Sequence, residues 1–159
     1  MYSFVSKCES DTINIGKKFA MYLEKGDIII LSGNLGSGKT KFTEGFLAYF
    51  NLENQVYSPT FTVINEYNLP TTNLYHFDVY RLNSPDDFYS IGAEEYLSNG
   101  ICIIEWGEKI ESILPKNYIK IVFSKDYSQE GVRILKCTAV GEKLEKVLER
   151  IETSDNEDT

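Results

Sequence analysis

The segment Gly33-Asn34-Leu35-Gly36-Ser37-Gly38-Lys39-Thr40 matches G-x4-G-K-[ST], a pattern suited to holding nucleotide phosphates. Glycine at Gly33, Gly36 and Gly38 lets backbone N–H groups converge on phosphate oxygens where a Cβ would crowd them. A helix starting at Lys39 adds the partial positive charge of its N-terminus. Lys39 is placed to reach the β and γ phosphates, and the Thr40 hydroxyl to coordinate Mg²⁺. Asn-Lys-x-Asp, a segment that commonly reads guanine, does not occur, so ATP is favoured over GTP.

Such a site needs a second anchor for the cation, commonly a carboxylate where a buried strand ends beside the loop strand. Glu105, closing Ile101-Cys102-Ile103-Ile104, is the leading candidate, although Asp is the usual residue there and Glu is one methylene longer. Asp78 lies in Tyr75-His76-Phe77-Asp78-Val79-Tyr80-Arg81-Leu82, where strand alternation puts His76, Asp78 and Tyr80 on one face. Asp78 could orient the attacking water or hold magnesium waters; the alternative is an ion pair with Arg81 or a neighbouring strand. His76 reads as a hydrogen-bonded structural residue rather than a ligand, because metal sites gather several such groups. Trp106, the sole tryptophan, could serve the core or sense nucleotide.

These residues need elements to position them. The apolar run Asp27 to Ser32 reads as a strand covered on both faces, and Phe42, Phe46, Leu47 and Phe50 share one face of the helix that follows. Before it, Tyr2 to Ser6 reads as a strand, and Ser10-Asp11 as the N-cap of a first helix ending near Gly26. Phe61 to Tyr67 and Asn73 to Tyr80 predict an antiparallel pair around the turn-forming Asn68 to Thr72. Ser84-Pro85-Asp86-Asp87 starts a helix that continues through Ala93 to Ser98, and Asn99-Gly100 stops it. Tyr118 to Phe123 and Val132 to Val140 form a closing strand pair, and Leu144, Val147, Leu148 and Ile151 mark a final amphipathic helix. The expected fold is one α/β P-loop NTPase domain over residues 1–152, with a mixed, mostly parallel sheet and an inserted antiparallel pair. Residues 153–159 read as an acidic, disordered tail.

Composition bounds the rest. At 159 residues, 42% apolar and 25% charged, the chain suits one globular domain with no room for a second enzymatic one. A net charge of −8 and a pI of about 4.7 argue against unaided grip on a nucleic-acid backbone. Cys8, Cys102 and Cys137 are too scattered for a disulfide framework and read as reduced packing residues. With no basic leader ahead of an apolar run, and no run approaching ~18 apolar residues, the expected location is cytoplasmic.

Four segments together resemble one family, the TsaE (YjeE) ATPases of bacterial tRNA threonylcarbamoyladenosine biosynthesis. They are Gly33 to Thr40; Ser58-Pro59-Thr60-Phe61-Thr62 with Glu66-Tyr67; His76 to Leu82; and Glu94-Glu95-Tyr96-Leu97 leading to Ile103-Ile104-Glu105-Trp106. The resemblance runs from about Asp11 to Trp106 and more weakly to Val140. It implies a Mg²⁺-dependent ATPase that acts with the TsaD and TsaB proteins, meets tRNA only through that complex, and does not itself transfer the threonylcarbamoyl group. It further implies that Lys39 and Thr40 bind phosphate and magnesium, Glu105 takes the Walker B role and Asp78 supports hydrolysis. Ser58, Pro59, Thr60 and Phe61 would form a switch-like loop, with the adenine pocket near Glu9 and Gly131. The family often has Asp, Ala and Thr where Asn34, Ser37 and Lys41 stand, and none of these departures removes Lys39 or Thr40.

Two other readings share the phosphate loop. A small-molecule kinase would need an acceptor pocket and commonly an Arg-rich lid, but arginine occurs only at Arg81, Arg133 and Arg150. A nonenzymatic module that binds ATP to organise a partner complex would need the loop and no hydrolysis.

Overall fold

A computed structural model describes residues 1–34, 36–56 and 63–158. In chain order the elements are β1 (Tyr2–Ser6), α1 (Glu9–Tyr22), β2 (Ile28–Ser32), α2 (Lys39–Ala48), β3 (Ile64–Asn68), β4 (Asn73–Asp78), α3 (Pro85–Ser90), α4 (Ala93–Asn99), β5 (Gly100–Glu105), β6 (Tyr118–Lys125), β7 (Arg133–Val140) and α5 (Glu142–Glu157). The strands form one sheet in the order β1-β7-β6-β2-β5-β4-β3. Its centre, β6-β2-β5-β4, is parallel, and antiparallel strands close both margins. Among the described residues, no helix is long and apolar enough to cross a membrane.

The central strands read as unbroken apolar runs because helices cover both faces of the sheet. Ile29 and Leu31 of β2, with Ile101 and Ile103 of β5, pack with residues of α1, α2 and α5. Ile28, Ile30, Cys102 and Ile104 point the other way, towards Phe88 of α3 and Ala93 and Leu97 of α4. Helices α1 and α2 approach closely through Gly16 and Gly45, where any Cβ would collide with backbone of the opposite helix.

The structure corrects several expectations. Helix α1 starts at Glu9 behind Cys8, and Asp11 lies inside it, where its carboxylate reaches back to accept the Lys7 N–H at 2.9 Å. The helix ends at Tyr22, not near Gly26. Strand β4 stops at Asp78, because the Asp78 carboxylate accepts the Tyr80 N–H at 2.9 Å and turns the chain. Tyr80 therefore leaves the His76–Asp78 face and stands 56% exposed. Cys102 and Cys137 are buried, and burial pushes both thiols up, Cys102 to about 12, but Cys8 is exposed. The residues expected as a tail from Thr153 continue α5 to Glu157. They are held there by Lys18, whose ammonium lies 2.8 Å from Asp155 and 2.9 Å from Asp158, and by the Tyr2 hydroxyl, which donates to Asp155 at 3.0 Å.

Candidate functional site

The phosphate-type loop leaves β2 at the carboxyl edge of the parallel strands, where open α/β sheets place their ligands. Gly33, Gly36 and Gly38 have φ of 143°, 76° and 110°, and Gly38 caps the start of α2. A Cβ at Gly33 would press on the Phe123 carbonyl at 2.8 Å, so neither the backbone angle nor the space favours another residue. The first N–H groups of α2 have no partner within the helix, and with the helix dipole they make an anion cradle.

Lys39, the first residue of α2, is buried. Its ammonium donates to the Gly33 carbonyl at 2.7 Å and sits 3.9 Å from the centre of the Trp106 ring. Burial lowers the Lys39 pKa, and the negative charges of Glu105, Glu108 and Asp78 oppose that shift. Trp106 reaches this position through a left-handed backbone at φ 63°, anchored by its N–H to the Leu31 carbonyl at 2.8 Å. Its ring also packs against Tyr80, tilted by 49° with ring centres 4.8 Å apart.

Parallel pairing of β4 with β5 puts Asp78 opposite Glu105. The Asp78 N–H donates to the Val63 carbonyl at 2.8 Å, and the Val79 N–H donates to the Glu105 carbonyl at 3.2 Å, which fixes both strand ends. His76 is fully buried, and its Nε2–H donates to Glu105 Oε2 at 2.6 Å.

A cleft of about 540 Å³ joins these parts, within the size range of small-molecule sites. Gly36, Gly38, Lys39 and Thr40 line it with Asp78, Glu105 and Trp106, and Glu9 and Gly131 line it too. Gly33, Asn34 and Ser37 do not line it and instead border a separate recess of about 200 Å³ beside Phe123. Leu35, Ser58, Pro59, Thr60 and Phe61 lie outside the described residues.

Sequence reasoning missed other residues of this region. Lys7, Lys41 and Arg133 add positive charge to the cleft, and Arg133 donates to the Gly36 carbonyl at 3.4 Å. Glu108, in the turn after Trp106, accepts a hydrogen bond from Ser32. Its spacing three residues past Glu105 was the available signal; Arg133 carried none, because only tertiary pairing brings the start of β7 to the loop.

Among the described residues no group of three or more His, Cys, Asp or Glu side chains is arranged to hold a metal by itself. Magnesium with a nucleotide does not need one, since water and phosphate supply most ligands and one or two protein oxygens suffice. The exposed Thr40 at the head of α2 and the carboxylates of Asp78 and Glu105, all hard oxygen donors on one cleft, fit that demand.

The model of the family described as Threonylcarbamoyl adenosine biosynthesis protein TsaE matches residues 6–134. The tRNA threonylcarbamoyladenosine biosynthesis protein TsaE of Bacillus subtilis (strain 168) is 40% identical over 147 residues, covering 92% of this chain and 90% of the relative. The protein of the same name from Haemophilus influenzae is 34% identical over 142 residues, covering 86% of this chain and 90% of the relative. The crystal structure of Bacillus subtilis YdiB superposes with a TM-score of 0.75 at 32% identity, covering 97% of this chain and 95% of that one.

Proposed function

The chain belongs to the TsaE family, and on that footing we propose that it binds ATP with Mg²⁺ in the cleft at the head of α2 and hydrolyses it in support of tRNA threonylcarbamoyladenosine biosynthesis. The observation that carries this reading is the meeting of Lys39 with the Asp78–Glu105 pair in one cleft. A phosphate-binding cation, an acid to anchor the metal and a group to position the attacking water are the parts that Mg–ATP hydrolysis draws from a protein, and Lys39, Glu105 and Asp78 supply one of each.

In this mechanism Lys39 leaves the Gly33 carbonyl and the face of Trp106 to meet the β and γ phosphates. The α2 N-terminus and the glycine loop hold the remaining phosphate oxygens. Thr40 and Glu105 would hold the Mg²⁺, which would supply positive charge to the phosphates. Asp78, opposite Glu105, orients the attacking water and receives its proton. The Glu9–Gly131 side of the cleft takes the adenine.

The partners proposed are the TsaD and TsaB proteins, with tRNA met only through them, because a chain of net charge −8 has little hold on RNA alone. The kinase reading is weaker, since Arg133 is the sole arginine lining the described cleft and already donates to the Gly36 carbonyl. The test is ATP hydrolysis with and without Mg²⁺, for the chain alone and with the TsaD–TsaB pair. Mg-dependent turnover that the pair stimulates supports the reading. Binding without turnover in either setting replaces it with the nonenzymatic module.

A further inference from the structure

We infer that His76 is a positioning residue for Glu105, so that the His76–Glu105 hydrogen bond sets how tightly the cleft holds its divalent cation. This deepens the proposed function and rests on it. His76 is 0% exposed and Glu105 6%, and their contact at 2.6 Å joins adjacent strands from positions 29 residues apart. Strand alternation puts His76, Asp78 and Glu105 on the same face of the sheet, with His76 two residues deeper than the Asp78–Glu105 pair. His76 therefore approaches the carboxylate from below, while Glu105 itself lines the cleft.

The physical need for such a pin follows from the length of glutamate. Three side-chain torsions stand between the Glu105 backbone and its carboxylate, and ordering them costs free energy at every binding event unless the protein has already done it. Donation from Nε2–H holds Oε2 in place and makes no demand on Oε1. Groups bonded to a metal-binding carboxylate tune affinity without touching the ion, and their loss typically weakens binding about 10- to 100-fold. A histidine needed only for packing would be replaceable by an apolar residue of similar size without effect on the ion.

The experiment compares the full-length wild type with His76→Leu and His76→Gln, using Mn²⁺ as the probe and free Mn²⁺ counted by electron paramagnetic resonance in the presence of ADP. Mg²⁺ titration of ATP hydrolysis is a second readout, and ADP affinity in EDTA a control. His76→Leu should weaken Mn²⁺ binding about tenfold or more and raise the half-saturating Mg²⁺ concentration in parallel, with metal-free ADP affinity unchanged. His76→Gln, whose amide can donate at the position of Nε2, should restore most of the loss. If His76→Leu does not fold, His76→Asn takes its place: its shorter amide falls short of Glu105 and should bind Mn²⁺ more weakly than His76→Gln. Equal Mn²⁺ affinity across wild type and the short or apolar variant overturns the inference, as does a glutamine variant no better than that variant. A wild type that takes up no Mn²⁺ with ADP overturns the Mg-nucleotide reading itself.

Discussion

Asp78 stands opposite Glu105 in the parallel register of β4 and β5, at the edge where both strands end beside the glycine loop. Positive charge lies near both residues. Lys39 feels Glu105, Glu108 and Asp78 together, and Glu105 also accepts from His76. The cleft is thus arranged around opposed charges, and each can be removed separately.

Lys39→Ala should cost at least about 2 kcal/mol of ATP affinity, roughly thirtyfold in Kd, because it removes the buried cation that would pair with phosphate. Calorimetry measures this directly. Unchanged affinity would mean that the glycine loop does not hold the nucleotide.

Glu105→Ala should lose hydrolysis roughly a hundredfold while keeping ATP binding, since Lys39 and the α2 N-terminus are untouched. Turnover at limiting Mg²⁺ is the measurement. Normal rates would move the cation anchor elsewhere and leave Glu105 as a structural acid.

Trp106 should report nucleotide binding. Its ring lies 3.9 Å from the Lys39 ammonium, and ATP draws that ammonium away, so the fluorescence of this single tryptophan should change on titration. The change should vanish in Lys39→Ala. A flat titration under conditions where calorimetry detects binding would show that Lys39 stays on the ring.

Asp155→Ala should destabilise the fold by about 1 kcal/mol at neutral pH, read as a lower denaturant midpoint. Burial alone would lower the Lys18 pKa, but hydrogen bonds and charge from Asp155 and Asp158 outweigh it, so the net direction is upward from 10.5. A lysine raised in the folded state contributes stability that is fully present below its unfolded value and lost as pH climbs through the folded one. The gap between variant and wild type should therefore hold through neutral pH and shrink above about 10.5. No gap at neutral pH would return the last turn of α5 to the status of a loose tail.

Much of this was legible because local pattern and tertiary demand agreed. The run Ile28-Ile29-Ile30-Leu31, the glycine loop and the helical spacing of Phe42, Phe46 and Leu47 announce strand, loop and helix in sequence alone. What stayed hidden depends on residues far apart in the chain. The His76–Glu105 bond needs the β4–β5 register, and the place of Arg133 against Gly36 needs β7 beside the loop. The end of α5 misled for the same reason: the segment from Thr153 onward looks disordered by composition, and its partners Lys18 and Tyr2 lie at the other end of the chain.

Asp78→Ala decides whether ATP hydrolysis in this cleft supports tRNA modification. The change removes a cleft carboxylate without adding bulk. Circular dichroism should show the fold retained, and pull-down with TsaD and TsaB the complex retained. The decisive measurement is nucleoside analysis of bulk tRNA from a strain depleted of wild-type protein and carrying this variant. Threonylcarbamoyladenosine should be lost. Normal levels of the modified nucleoside, with the variant folded and unable to hydrolyse ATP, would contradict the account and leave nucleotide binding alone as the function of the cleft.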